Sequence, residues 1–393
     1  MPKILRIINR FNLGGITYNV SYLSKYLPGE YETLLIGGPE EEGESSSLHI
    51  TDSLGLKPVI IKDLNREISL IKDYKSYKEI KRLIKEFKPD IVHTHASKAG
   101  AIGRLAAISC KVPVIVHTFH GHVFHNYFGK LKTAFYLTIE RYLAKRSSAI
   151  VTNSNLLKKE LSESFQITTA DKIHVVPLGF DLAKFQTNQK QKRKDFRSKY
   201  KIKEDELVIS IIGRLAPIKN HELFFDAIEN ITKRSSKKIK AIIVGDGETR
   251  QYLESCLKNK NLVYCSSADK NCVFNFIGWQ KDVDQILAGT DIVALSSKNE
   301  GTPVSLIEAQ AAGKFIVTTN VGGVKDILHN DCGFVSETDE EFKTLLLKAI
   351  EEHDALNQKA KAGIAFANER FSYKRLVNDM DILYKKLLSR WVL

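Results

Sequence analysis

No apolar run in this 393-residue chain approaches the roughly 18 residues that a bilayer-spanning helix needs. The opening MPKILRIINRF lacks the build of a secretory leader and reads as a first strand, so the expectation is a cytoplasmic protein. Cysteine is sparse. Cys110, Cys256, Cys265, Cys272 and Cys332 are odd in number and irregular in spacing, and they include no CxxC pair. They read as free thiols in a reducing compartment, with a zinc site on Cys256, Cys265 and Cys272 as the alternative. Glycine (23) and proline (9) are too few for a collagen-like or low-complexity chain, and 43% hydrophobic with 27% charged residues excludes a disordered one. At roughly 100 to 200 residues per domain the length implies two domains, each with its own core.

Acidic charge is short by 13, and the deficit is local. Residues 1–186 carry a balance of +8, residues 187–203 carry +7, and residues 204–393 carry −2. Such basicity implies an anionic partner. Motifs of nucleic-acid readers are missing, namely helix-turn-helix, zinc finger and aromatic-basic strand, so nucleic acid is excluded in favour of an acidic membrane surface or a phosphorylated ligand.

Short β-branched runs alternate with amphipathic stretches: ILRII (4–8), TLLIG (33–37), PVII (58–61), DIVHT (90–94), PVIVHT (113–118) and AIVT (149–152), with a last strand signal at 173–176 before Pro177. A polar, lysine-rich stretch follows, and then a second series: LVISIIG (207–213), IKAIIVG (239–245), NFIG (275–278), DIVAL (291–295) and KFIVTT (314–319). The reading is α/β, with two doubly wound Rossmann-like parallel sheets facing each other across a cleft. The expected domains are 1–186, a basic linker 187–203, 204–370, and a C-terminal helix in 371–393 that crosses back to the first domain. Ligands of such sheets sit beyond the carboxyl ends of the strands, so function is sought there.

Three strand ends carry the chemistry. The first strand runs into Asn12, Leu13, Gly14 and Gly15, a turn whose paired glycines let backbone amides approach an anion, or else a tight turn with no ligand. Gly213 is followed by Arg214 and Lys219, two cations that would neutralise a diphosphate unless the loop is merely solvated. Between the strand at 291–295 and the run SLIEAQAAG lie Glu300, Gly301, Thr302, Pro303, Val304, Ser305 and Glu308. Pro303 suits a first helical turn, which would open the amides near Val304 and Ser305 to an anion. Glu300 in the loop and Glu308 in the helix would supply carboxylate acceptors for hydroxyl-rich groups.

Together these segments resemble family 4 glycosyltransferases of GT-B architecture over essentially the whole chain. The matching elements are the Gly14-Gly15 turn, HTFHGH (117–122), GRLAPIKN (213–220), VGDGE (244–248), FIG (276–278) and EGTPVSLIE (300–308). The resemblance implies a retaining, metal-independent hexosyltransferase with no cofactor and a nucleotide-sugar, expected to be UDP-linked, as co-substrate. Arg214 and Lys219 would hold the diphosphate with help from Gly14, Gly15 and the helix after Pro303. Gly245, Gly278, Gly301, Thr302, Val304 and Ser305 complete the donor site. Glu308 would bind the ribose, Glu300 the donor-sugar hydroxyls, and His120 would meet the sugar near its reacting carbon. The acceptor would be a glycan or lipid-linked saccharide in cell-surface polysaccharide assembly, reached from the inner face of the cytoplasmic membrane. A sugar-nucleotide epimerase of the same architecture and a non-catalytic sugar-nucleotide binding module are the rivals.

His93, His95, His117, His120, His122 and His125 crowd two neighbouring strand ends, and a metal site is the alternative to polar cleft residues there. Asp282/Asp284 and Asp379/Asp381 look like divalent-ion pairs but fall in helical stretches. Gly245-Asp-Gly247 lacks the third glycine of a dinucleotide fingerprint, which argues against NAD. The lysine-rich helix at 69–88, with Ile71, Tyr74, Ile84 and Phe87 among its apolar positions, and the aromatic-basic segment 122–136 are candidates for an anionic membrane surface and an acceptor contact, or for ordinary packing.

Overall fold

A computed structural model describes residues 1–12, 14–41, 46–65, 67–121, 129–266 and 272–391. The chain divides into two compact units, Met1–Phe180 with Phe371–Leu393, and Asp181–Arg370. Each is a parallel seven-stranded sheet with helices on both faces. In the first unit the strands are β1 (Lys3–Arg10), β2 (Glu32–Gly38), β3 (Val59–Ile60), β4 (Ile91–His95), β5 (Val114–Phe119), β6 (Ala149–Thr152) and β7 (Ile173–Val175), in the order β3-β2-β1-β4-β5-β6-β7. The second unit has β8 (Glu206–Ile212), β9 (Lys238–Val244), β10 (Tyr264–Cys265), β11 (Phe274–Gly278), β12 (Ile292–Leu295), β13 (Phe315–Thr319) and β14 (Gly333–Ser336), in the order β10-β11-β9-β8-β12-β13-β14. Strand order reverses between β1 and β4 in one sheet and between β8 and β12 in the other. Those switch points open a crevice at the carboxyl ends.

Alternation along the strands builds the two layers of each core. Ile4, Ile91, Val114 and Val116 face the closing helix Tyr373–Ser389 through its Leu376, Met380, Leu383 and Leu387. Their neighbours Leu5, Val92 and Ile115 face Ile80, Leu83 and Ile84 of the helix Leu70–Phe87 and Ala99, Ile102 and Ala106 of the helix Ser97–Ser109. The period-2 pattern thus sorts one strand's side chains onto opposite faces. The closing helix is fastened to its unit by Arg375, which donates to the carbonyls of Pro177 (2.6 Å) and Leu178 (2.8 Å).

The stretch 187–203 is not a linker. It carries the helix Gln189–Lys199 within the second unit, where Phe196, Tyr200 and Ile202 are buried against Val208, Ile242 and Ile286. Three of its cations are matched within the unit: Lys192 lies 2.8 Å from Asp284, and Arg193 and the buried Arg197 both reach Asp291. The cysteine expectation is also corrected, because β10 and β11 are neighbours and the return between them joins Cys265 to Cys272 in a disulfide with Cα atoms 5.8 Å apart. Cys110, Cys256 and Cys332 are free, and no two thiols remain for the zinc alternative beside Cys256. Among the described residues no helix is long and apolar enough to cross a membrane.

Candidate functional site

In the second unit the site grows from the β8/β12 switch point. After β8 the chain turns through Gly213, exposed Arg214 and half-buried Lys219 into the helix His221–Arg234. Lys219 Nζ donates to Glu300 Oε1 at 2.5 Å, and Ser297 donates to the same oxygen at 2.7 Å. Glu300 therefore sits in the loop after β12, with a cation and a hydroxyl on one carboxylate oxygen. Arg214 pairs with Glu248, which follows β9, through Nε at 3.1 Å and a second guanidinium nitrogen at 3.0 Å. Ser296 fastens the two loops by donating to the carbonyls of Lys219 and Asn220.

Glycines make these close approaches possible. A Cβ at Gly245, whose φ is +131°, would lie 1.9 Å from the Gly213 carbonyl oxygen, and one at Gly322, with φ +52°, would lie 1.6 Å from that of Glu300. Gly245 also donates its N–H to the Gly278 carbonyl at 2.9 Å, tying β9 to β11 where both end. The helix Val304–Ala311 begins one residue later than expected. Pro303 is its N-cap rather than its first residue, and Thr302 Oγ1 is buried without a partner beside it. The first-turn amides of Val304 and Ser305 have no place in the i to i−4 ladder and point out of the N-terminus, the end that favours an anion. Glu308 lies in this helix, and burial pushes its carboxyl up to about 7, partly offset by Lys184 and reinforced by Asp284.

In the first unit the helix Gly15–Tyr26 follows β1, with extended Gly14 as its N-cap. A Cβ at Gly14 would meet nothing within 4 Å, so the protein itself leaves that approach open. Leu13 of the turn lies outside the described residues, as does 122–128, the first part of the aromatic-basic segment 122–136, with His122 and His125 in it.

Histidines from β4 and β5 form a row beside the β1/β4 crevice. His120 Nε2 lies 3.1 Å from His95 Nδ1, with the two rings stacked at 5.4 Å. His95 in turn packs on His93, their ring centroids 4.1 Å apart. His93 Nδ1 faces the Tyr384 hydroxyl at 2.6 Å and Arg6 at 3.2 Å, and its Nε2 faces Thr118 Oγ1 at 2.7 Å. A guanidinium only donates, so Nδ1 of His93 is the bare nitrogen and Nε2 carries the proton towards Thr118. Burial first, and Arg6 second, holds His93 well below the usual imidazole range. His95 and His117 are held down in the same way, chiefly by burial, and burial alone takes His120 down to about 4. All four rings are neutral at physiological pH. Gly100 allows the fit, since a Cβ there would sit 2.3 Å from His117 Cε1.

The structure brings Lys219 and Glu300 together as neighbours and adds several partners that the sequence did not suggest. Ser297, Glu248 and the Gly322-Gly323 pair act through tertiary contacts. A glycine pair directly after a strand is the one signal that could have exposed Gly322, as it did Gly15. Of the histidines in the metal alternative, His93 has both ring nitrogens engaged, His122 and His125 lie outside the described residues, and among the described residues no group of three His, Cys, Asp or Glu is arranged to hold an ion. Asp284 answers Lys192, Asp379 answers Arg375, and Asp381 answers Lys385 and Tyr31.

Comparison with known proteins agrees with both halves. Residues 13–184 match the family described as Glycosyltransferase Family 4, and residues 192–365 match Glycosyl transferases group 1. An Escherichia coli protein named UDP-Gal:alpha-D-GlcNAc-diphosphoundecaprenol alpha-1,3-galactosyltransferase is 33% identical over 298 residues, 74% of each chain. The Staphylococcus aureus capsular polysaccharide biosynthesis glycosyltransferase CapM is 23% identical over 334 residues, 83% of this chain and 84% of its own. Among solved structures, Anabaena Alr3699/HepE in complex with UDP-glucose superposes with a TM-score of 0.79 at 19% identity, covering 98% of this chain and 100% of that one. The shared fold is GT-B.

Proposed function

This chain belongs to the family 4 glycosyltransferases, and from that premise we propose that it moves a hexosyl or N-acetylhexosaminyl group from a UDP-sugar to a lipid-linked saccharide, with retention and without a bound metal. The observation that carries this reading is the convergence of Lys219, Glu300 and the open amides of Val304 and Ser305 at one switch point. A diphosphate draws Lys219 and Arg214 from their carboxylates, and the freed Glu300 then accepts hydrogen bonds from sugar hydroxyls. Glu308 accepts from the ribose, and the amides of Gly14 and Gly15 serve the phosphates from the first unit. The leaving group is UDP, whose growing charge is met by fixed cations and amides before the bond breaks.

His120 stands by the anomeric carbon as a neutral ring, which an oxocarbenium-like centre tolerates and an imidazolium would repel. Among the described residues the row behind it offers imidazoles, a phenol, a hydroxyl and a guanidinium but no carboxylate, which favours front-face attack over a covalent glycosyl intermediate. The acceptor hydroxyl bonds to the anomeric carbon as the carbon–phosphate oxygen bond breaks, and its proton passes to the departing phosphate oxygen. The names of the E. coli and S. aureus relatives support a lipid-linked acceptor in surface-polysaccharide assembly. Exposed Leu70, Ile71 and Tyr74, set among Lys72, Lys75 and Lys78, support docking on an anionic membrane face, where each lysine contributes on the order of 1 kcal/mol.

The test supplies UDP-galactose, UDP-glucose and UDP-N-acetylglucosamine, each with an N-acetylglucosaminyl diphospholipid, in EDTA. An α-linked product is expected, with His120→Ala losing turnover and Glu308→Ala losing UDP affinity. A β-linked product would overturn retention, and activity lost to EDTA and restored by manganese would overturn metal independence. Epimerised donor without acceptor would point to the rival enzyme. Changing Lys72, Lys75, Lys78 and Lys85 to Glu should release the protein from anionic vesicles, and equal sedimentation of the two forms would remove this helix from the membrane account.

A further inference from the structure

His120 is the ring assigned to the reacting sugar, yet it is not held by the strand alone. Its Nε2 is bound by His95 Nδ1 at 3.1 Å, while His120 Nδ1 and His95 Nε2 are buried with no partner among the described residues. Two neutral imidazoles joined nitrogen to nitrogen share one proton in that bond, so the tautomer of one dictates what the other offers. If His95 donates, His120 presents Nδ1–H; if His95 accepts, His120 presents a lone pair there. The ring of His95 cannot turn away. It is 1% exposed and packs on His93, which is locked by Tyr384, Arg6 and Thr118.

The backbone adds a second, independent sign. Immediately after His95, Ala96 holds φ +66° and ψ 162°, a conformation that a side chain with a Cβ rarely adopts and that is strained. That turn stops β4 at His95 and starts the helix Ser97–Ser109 at once, which keeps the imidazole at the strand's last position. Strain kept beside a buried, half-satisfied ring is characteristic of a position built for function rather than for stability.

We propose that His95 is a positioning residue for the transfer reaction: through Nδ1 it fixes the orientation and tautomer of His120. This rests on His120 meeting the donor sugar as described above. His95 itself touches no substrate, so its loss acts on the chemical step and not on UDP affinity. Supporting partners of functional histidines are worth about 10- to 100-fold.

The test combines kinetics with a spectroscopic reading of the rings. His95→Phe keeps the stacking shape and removes the nitrogen; His95→Asn puts an amide near where Nδ1 lay. The expected result is a kcat at least tenfold lower in His95→Phe with UDP affinity by calorimetry within twofold, recovery of most of the loss in His95→Asn, and no further loss when His95→Phe is added to His120→Ala. Long-range proton–nitrogen spectra of histidine-labelled protein should show one tautomer for His120 in the parent and an exchanging mixture in His95→Phe. Multiplicative losses in the double variant, or a His120 ring unchanged by His95→Phe, would overturn the proposal. Should His95→Phe fail to fold, a parent spectrum in which both rings average freely between tautomers overturns it alone. If His120→Ala keeps full turnover, the role given to His120 falls instead, and the spectra still decide whether His95 governs its ring.

Discussion

The two units keep opposite electrostatic habits towards the carboxyl ends of their sheets. Along β4 and β5 and just after β5 the first unit gathers four imidazoles and makes them neutral chiefly by burial, with Arg6 turned towards His93 and Tyr384 and Arg104 acting on His117. Beyond β8 and β12 the second unit keeps its charges and pairs Lys219 with Glu300 and Arg214 with Glu248. The contrast separates two tasks. A binding half needs charge that a diphosphate can claim, and storing it in ion pairs avoids an unpaired cation in the empty site. On the function proposed above, a ring placed by a carbon that gains positive character is better served by carrying no charge itself.

Backbone substitutions break the comparison most strongly. Gly322→Ala places a Cβ 1.6 Å from the Glu300 carbonyl oxygen at a φ of +52°, so the loop bearing Glu300 must move. A loss of more than about 3 kcal/mol in stability, together with UDP binding, is expected. Gly14→Ala meets nothing within 4 Å and should leave the melting temperature unchanged while weakening UDP-sugar binding. Calorimetry and thermal melts on the two variants check both halves. Equal stability of Gly322→Ala and the parent would mean the loop is not held as described.

Acid sharpens the comparison next. Four histidines in the first unit have folded pKa values below their unfolded ones, so the unfolded chain binds more protons below about pH 6.5. Stability is therefore fully present above the unfolded pKa and lost as pH falls towards the folded values. Each ring contributes a slope of up to about 1.4 kcal/mol per pH unit. Hydrogen exchange between pH 7 and 5 should show β4 and β5 losing protection before β8 and β12. Uniform loss across both sheets would contradict the neutral row.

The same contrast explains what could be read in advance. Strand ends and their motifs were legible, because β-branched runs, paired glycines and a proline before a helix leave local marks, and Gly15, Arg214, Lys219, Glu300 and Glu308 all stand at or near such marks. What stayed hidden depends on partners distant in the chain. Phe196 and Tyr200 are outnumbered by lysines and arginines in 187–203, so a helix anchored by the Arg197–Asp291 pair read as a linker. Tyr384 is one residue of an amphipathic helix, and nothing local ties it to Arg6 across 378 positions. Leu70, Ile71 and Tyr74 follow the apolar period of their helix yet lie exposed, because the sheet contacts the helix only from Ser76 onwards.

The smallest expected effect lies at Glu308, where the second unit departs from its own habit. Among the described residues this carboxyl has no charged partner in contact, and burial raises it from 4.5 to about 7, so the folded protein holds a proton that the unfolded chain has released. Stability is lost as pH rises from about 4.5 to 7 and is constant above that, which makes the group a cost kept for a ligand. Ribose hydroxyls donate to the ionised form and lower its pKa, so UDP binds with release of this proton and more tightly above pH 7 than below it. From pH 8 down to 6 the Kd for UDP should rise by up to about tenfold per unit below the pKa of the free site. Glu308→Gln accepts from the same hydroxyls without titrating, and the ratio of parent to variant Kd cancels the titration of UDP itself. That ratio should climb as pH falls through 7. A ratio that stays flat across this range would mean that Glu308 does not receive the ribose, and the second unit would then bind its donor through the paired charges at Lys219 and Arg214 alone.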